Sequence, residues 1–141
     1  DKYAVRMGGG HNHRRNLGDG ILIKDNHIQA LRSKGLTLAQ IIEKARAAAS
    51  HTVKIEVEVE TLDELKEALA AKAEVIMLDN MDLGEMRKAV ELTRGRAVIE
   101  ASGGITLERA RAVAETGVDL MSVGALTHSV KALDISLDLL A

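Results

Sequence analysis

The chain has 141 residues, 46% of them hydrophobic and 28% charged, which is enough for one buried core and too apolar for intrinsic disorder. Its net charge of −2 gives no overall attraction to nucleic acid or an anionic membrane, and the lack of cysteine excludes disulfides and thiolate-held zinc. No apolar run approaches the roughly 20 residues of a membrane span, so a soluble, cytoplasmic protein is predicted.

Along the chain, Asp1 to Gly8 reads as the tail of a helix that stops at glycine, with no strand of its own in front. Then comes Gly8-Gly9-Gly10-His11-Asn12-His13-Arg14-Arg15. Three glycines let a backbone bring N–H groups close to an anion, and the histidines and arginines behind them are a dense set of donors. On its own this is also how an ordinary basic surface loop reads. The balance moves toward an anion site because the short apolar run Ile21-Leu22-Ile23 ends on Lys24 soon afterwards. Arginine suits bidentate recognition of carboxylate or phosphate and lysine a point-charge contact, so a substrate with several negative charges is implied.

Helix starts follow at Thr37, Thr61 and Asp82, each with Gln or Glu three residues on to close a capping box, and a fourth at Thr106 lacks that partner. Apolar stripes at helical spacing run through Ile41, Ile42, Ala45 and Ala48-Ala49, through Leu62, Leu65, Ala68 and Leu69, and through Met86, Ala89, Val90 and Thr93. Gly95 and Gly117 stand where such helices stop. With no Pro, Phe or Trp and Tyr3 the single aromatic, the core must be built from Ile, Leu, Val, Met and Ala.

Between the helices lie the other strand candidates: Ile55 to Val59, Val75 to Asp79, Ala97 to Glu100 and Leu120 to Gly124. In the first of them Ile55, Val57 and Val59 share one face while Glu56, Glu58 and Glu60 share the other. On an antiparallel edge this would be plain amphipathicity. In a parallel sheet covered by helices, the acidic face must look into a barrel mouth, where carboxylates need partners. Asp79, at the tip of the next strand beside Asn80, reads either as a helix cap or as a second carboxylate of the same site. Two carboxylates facing a cationic pocket suit a cationic transition state or a Mg²⁺ ion. Ser102-Gly103-Gly104 and Val123-Gly124, the latter leading to His128, follow the last two strands as glycine turns into helix N-termini, the usual phosphate seat of βα barrels. His27 and His51 read as structural or surface residues, and no His-x-x-x-His spacing marks a zinc site.

Strands alternating with helices at this spacing imply parallel pairing with right-handed crossovers. Five such units cannot close an eight-stranded barrel, so the fold class is α/β, either an open parallel sheet or the larger part of a βα-barrel. A single domain over residues 1–141, cut from a longer protein, is the expectation.

In their order and wording these motifs resemble the quinolinate phosphoribosyltransferases. The likeness runs through Gly8-Gly9-Gly10 with Asn12-His13-Arg14, Leu22-Ile23-Lys24-Asp25-Asn26-His27, Glu56-Val57-Glu58-Val59 and Leu78-Asp79-Asn80. It continues in Ser102-Gly103-Gly104, Glu115-Thr116-Gly117-Val118-Asp119 and Val123-Gly124-Ala125-Leu126-Thr127-His128. The resemblance implies a type II phosphoribosyltransferase barrel that joins quinolinate to phosphoribosyl pyrophosphate with Mg²⁺ present and loss of CO2, giving nicotinate mononucleotide. On matching positions, His13, Arg14 and Lys24 would hold the pyridine dicarboxylate and pyrophosphate. Glu58 and Asp79 would contact the ribose, directly or through Mg²⁺. Ser102, Gly103, Gly104 and Gly124 would seat the 5-phosphate, with His128 a further candidate. Members of that family also carry an N-terminal α/β domain and an early barrel strand, neither of which this sequence contains, and they complete the site across a homodimer or larger homo-oligomer. Two alternatives stand beside this reading: a related phosphoribosyltransferase for another acidic substrate, or a non-catalytic barrel scaffold.

Overall fold

The computed structural model describes residues 1–139. A short helix α1 (Lys2–Met7) opens the chain and stops at Gly8. Strand β1 (Ile21–Ile23) is followed by two helices, α2 (Asp25–Arg32) and α3 (Leu38–Ala48). The remaining units are β2 (Ile55–Val59) with α4 (Leu62–Ala70), β3 (Val75–Asp79) with α5 (Leu83–Thr93), β4 (Val98–Ser102) with α6 (Leu107–Ala114), and β5 (Leu120–Met121) with α7 (Ala125–His128).

All neighbouring strands pair in parallel, and their spatial order β1-β2-β3-β4-β5 is their chain order. That order decides the architecture. When each right-handed crossover moves one strand further in the same direction, every helix falls on the same face of the sheet. The other face becomes the inside of an incomplete barrel, not a second helix-covered layer.

Register sorts the side chains between the two faces. Ile23 pairs with Val57, Val57 with Ile76, and Ile76 with Ile99, so these residues and their period-two neighbours Ile55, Val59, Leu78 and Ala101 share the helix-covered face. They are buried against Ile28, Leu38, Ile41, Ile42, Leu65, Ala68, Leu69, Met86, Ala89 and Val113 in one continuous core. The aliphatic core predicted from composition is therefore the observed one, confined to the layer between sheet and helices.

The capping boxes at Thr37–Gln40 and Asp82–Glu85 close in both directions. At Thr61 the box opens differently from expectation. Thr61 accepts from the Glu64 N–H, but the Glu64 carboxylate reaches one residue further back, to the N–H of Glu60 at 3.1 Å. Two other expectations are corrected. Ala48 is exposed, because α3 ends there and its apolar stripe stops at Ala45. The run Leu120 to Gly124 contributes only two residues of strand, after which Ser122 keeps a single ladder bond to the Ala101 carbonyl.

Candidate active site

The inner face carries the residues that the helix-covered face excludes. Leu22 pairs with Glu56, Glu58 with Met77 and Met77 with Glu100, while Asp79 pairs with Ser102. Lys24 follows Ile23 at the carboxyl end of β1, opposite Glu58. Side chains of one parity on adjacent parallel strands point the same way, so Lys24, Glu56, Glu58, Asp79, Glu100 and Ser102 converge on one concave surface.

Glu58 is 7% exposed, and its carboxylate meets the Lys24 ammonium at 3.6 Å. Burial pushes the Glu58 carboxyl above its ordinary range, and the charges of Asp79 and Asp25 push the same way. Lys24 and an N–H of Asp25 oppose that shift without cancelling it. The result is a desolvated anion with incomplete compensation, the kind of group that a substrate cation or a metal ion relieves. The Lys24 side chain is itself about half exposed. Its backbone N–H is occupied by His27, whose Nδ1 accepts at 3.0 Å and caps α2. The structural reading of His27 holds.

A second cluster lies on the same face. His13 comes from the glycine-rich loop and crosses to β2, where its Nε2 lies 2.7 Å from Glu56 Oε2. Glu56 and Glu100 are 8% and 3% exposed, and Ser122 donates its hydroxyl to Glu100 Oε1. Burial raises the Glu56 carboxyl, and the neighbouring Glu100 charge adds to it. Glu56 belonged to the acidic face read from the sequence but not to the predicted site. Glu100 and Ser122 also stood at strand ends. Nothing in spacing links them to His13, since the three elements meet only once the sheet curves.

The loop that brings His13 inward also carries Arg14, whose guanidinium donates to the Gly20 carbonyl at 3.3 Å and braces the approach to β1. His11, Asn12, His13, Glu100, Ser122 and Gly124 border a cavity of about 440 Å³ between this loop and β5.

At the rim, the glycine turns have geometry that only glycine permits. Gly103 has φ +87, and a Cβ there would fall 2.1 Å from Asn80 Oδ1. Asn80 is held by its own N–H bond to the Ser102 carbonyl and donates to Asp79 Oδ2 at 2.8 Å, which links the β3 tip to the β4 turn. Among the described residues, the N–H groups of Gly103, Gly104 and Gly124 donate to no backbone acceptor. They sit just before the helices α6 and α7, with their N–H groups available to an anion. His128 folds back over Gly124, and a Cβ on that glycine would lie 2.7 Å from His128 Nε2. The predicted residues thus fall into three groups: Lys24, Glu58 and Asp79 at the strand tips; Ser102, Gly103, Gly104, Gly124 and His128 at the two last turns; and His13 and Arg14 on the glycine-rich loop, engaged by Glu56 and by the Gly20 carbonyl.

Comparison with known proteins gives a consistent result. Residues 1–138 match the family model described as quinolinate phosphoribosyl transferase, C-terminal domain. A probable nicotinate-nucleotide pyrophosphorylase (carboxylating) from Bacillus subtilis is 55% identical over 138 residues, covering 98% of this chain and 46% of the relative. The nicotinate-nucleotide pyrophosphorylase (carboxylating) of Mycobacterium leprae is 49% identical over 141 residues, covering 98% and 48%. The solved nicotinate-nucleotide pyrophosphorylase from Francisella tularensis superposes with a TM-score of 0.85 at 46% identity, over 95% of this chain and 46% of that one. The chain therefore spans about half the length of the relatives it matches.

Proposed function

The chain belongs to the quinolinate phosphoribosyltransferase family, whose C-terminal domain it matches, and we propose that it supplies the catalytic half of an enzyme transferring phosphoribose to quinolinate. The products are nicotinate mononucleotide, pyrophosphate and CO2. The observation that carries this reading is the rim itself: a lysine–glutamate pair, a second carboxylate and two turns of unengaged glycine N–H groups, all at the carboxyl ends of parallel strands.

Each part has a task in that chemistry. The free N–H groups of Gly103, Gly104 and Gly124, with the Ser102 hydroxyl and the His128 ring beside them, bind the 5-phosphate and fix the sugar between the two carboxylates. Lys24, at the open edge, meets the negative charge of the pyridine dicarboxylate and the departing pyrophosphate, and His13 and Arg14 approach from the loop. As the pyridine nitrogen forms its bond to the anomeric carbon, the bond to pyrophosphate breaks and positive charge develops on the ribose. Glu58 and Asp79 face that charge. A carboxylate already held in a low-dielectric site needs little reorganisation to stabilise it. The bond between the ring and its carboxylate then breaks, CO2 leaves, and the ring carbon takes up a proton from water to give the nucleotide.

The donor set also fits Mg²⁺, since Glu58 and Asp79 are oxygen ligands and the burial of Glu58 is only partly offset by Lys24. When bound, the ion would neutralise pyrophosphate charge on the leaving group.

The test is CO2 release from carboxyl-labelled quinolinate with phosphoribosyl pyrophosphate and Mg²⁺. Residues 1–138 replace the matching half of the Bacillus subtilis relative, with and without Lys24→Ala. The chimera should turn over, and Lys24→Ala should lower kcat/KM by roughly 10²-fold, the usual effect of losing one charge-stabilising donor. Equal rates would remove Lys24 from the site, and an inactive but folded chimera would count against the activity.

A further inference from the structure

We propose that His13, Glu56 and Glu100 form a binding site for one first-row divalent cation, distinct in its ligands from the Glu58–Asp79 pair. The three side chains come from the glycine-rich loop, β2 and β4, and one ligand atom from each lies within 4.8 Å of the others. One imidazole nitrogen and two carboxylate oxygens on one side, with the opposite side open, is a donor set that suits Zn²⁺, Mn²⁺ or Fe²⁺ better than Mg²⁺ or Ca²⁺.

The burial pattern points to a ligand independently of that spacing. Glu56 is 8% exposed, and its Oε1 is fully enclosed with no hydrogen-bond partner among the described residues. Its other oxygen is taken by His13, so Oε1 is a buried acceptor without a donor among the described residues, in the same cluster as the Glu100 carboxylate. Leaving such an atom unpaired is unfavourable, and two enclosed carboxylates side by side add repulsion. A cation between them removes both penalties together.

The surroundings are arranged for it. The Ser122 hydroxyl donates to Glu100 Oε1, orienting that carboxylate and leaving Oε2 for an ion. His13 has 35% of its side chain exposed on the cavity of about 440 Å³, so the ion would keep positions open to an outside ligand. Among the described residues no hydrogen bond engages His13 Nδ1, so the imidazole can carry its proton there and turn the Nε2 lone pair to the metal. The site shares His13 with the substrate-binding reading but none of Lys24, Glu58 or Asp79, so it stands on the burial and spacing of its own three side chains.

Zn²⁺ titration of the 141-residue chain, followed by calorimetry and by ¹⁵N NMR of the histidine rings, tests this directly. One Zn²⁺ per chain should bind, shifting the His13 Nε2 signal and leaving those of His27 and His51 in place. Glu56→Gln and Glu100→Gln should each weaken binding by at least about tenfold, whereas Glu60→Gln, an exposed carboxylate of the same strand end, should change it less than about twofold. If the His13 signal does not move in the wild-type chain, the proposal is wrong whatever the variants do. It is equally overturned if the folded variants bind Zn²⁺ as the wild type does, since Glu56 and Glu100 would then be held together by a shared proton.

Discussion

Gly103 shows how much of the rim depends on one absent methyl group. Its φ of +87 lies in a region that side chains avoid, and the space beside it is filled by the Asn80 carboxamide. Asn80 is itself left-handed, with φ 54, and is tied to both Asp79 and Ser102. Gly103→Ala should therefore destabilise the fold by roughly 1–3 kcal/mol, read as a lower urea midpoint, and should move Asp79. The double change with Asn80→Gly relieves the collision and should recover part of that loss, because contacting residues are not additive. An unchanged midpoint in Gly103→Ala would mean the turn is looser than its geometry indicates. At this scale the sequence was informative where residue type alone dictates geometry or charge: the glycine turns, Lys24 and the alternating Glu56 and Glu58. It was silent on the His13–Glu56–Glu100 convergence, because that depends on sheet curvature and a long loop, neither of which leaves a spacing.

Among the elements, the helix starts were the most legible features, because capping is local chemistry. Asp82 accepts from the Glu85 N–H at 2.8 Å, and Glu85 answers to the Asp82 N–H at 3.1 Å. Asp82→Ala should lower stability by about 1 kcal/mol, measured by thermal or urea unfolding. Less legible were the ties between strand starts, which join residues distant in sequence. Glu74, just before β3, accepts from the Ile55 N–H at 3.1 Å and from Arg46 of α3 at 2.9 Å. Asp119 repeats the device before β5 by accepting from the Ile99 N–H at 2.8 Å. For Glu74, desolvation raises the carboxyl, but the bonds from Arg46 and Ile55 outweigh it and hold it below its ordinary 4.5. A carboxyl depressed in the folded state stabilises above its unfolded value and loses that contribution as pH falls through the lower, folded one. Glu74→Gln should thus destabilise by about 1 kcal/mol or less at neutral pH, discounted because the group is partly exposed. The difference from wild type should shrink as pH drops below 4.5. A difference that stays constant with pH would show that the charge is irrelevant there.

At the level of the whole molecule, the consequence of a five-stranded arc is exposed edges. A barrel removes edges by closing; in this arc, among the described residues, no strand pairs with the outer edges of β1 and β5, and β5 is only two residues long. Beside that edge Leu120 and Met121 are 50% and 39% exposed. Beyond α7, Leu133, Ile135, Leu137 and Leu139 are all exposed and alternate with Asp134, Ser136 and Asp138, the period of a strand that has one apolar face and no sheet to join. Apolar alternation next to an open edge favours strand addition between chains. The isolated chain should accordingly sediment above its 15.1 kDa monomer mass as its concentration rises into the tens of micromolar, roughly the range in which modest interfaces associate. Placing Lys at Ile135 and Leu137 puts charge on the apolar face of that segment without touching the core, so it should shift sedimentation toward monomer while leaving the circular dichroism unchanged. If the wild-type chain remains monomeric at every concentration, the edges are protected by the curvature of the arc itself, and a homo-oligomer would have to form through some other surface.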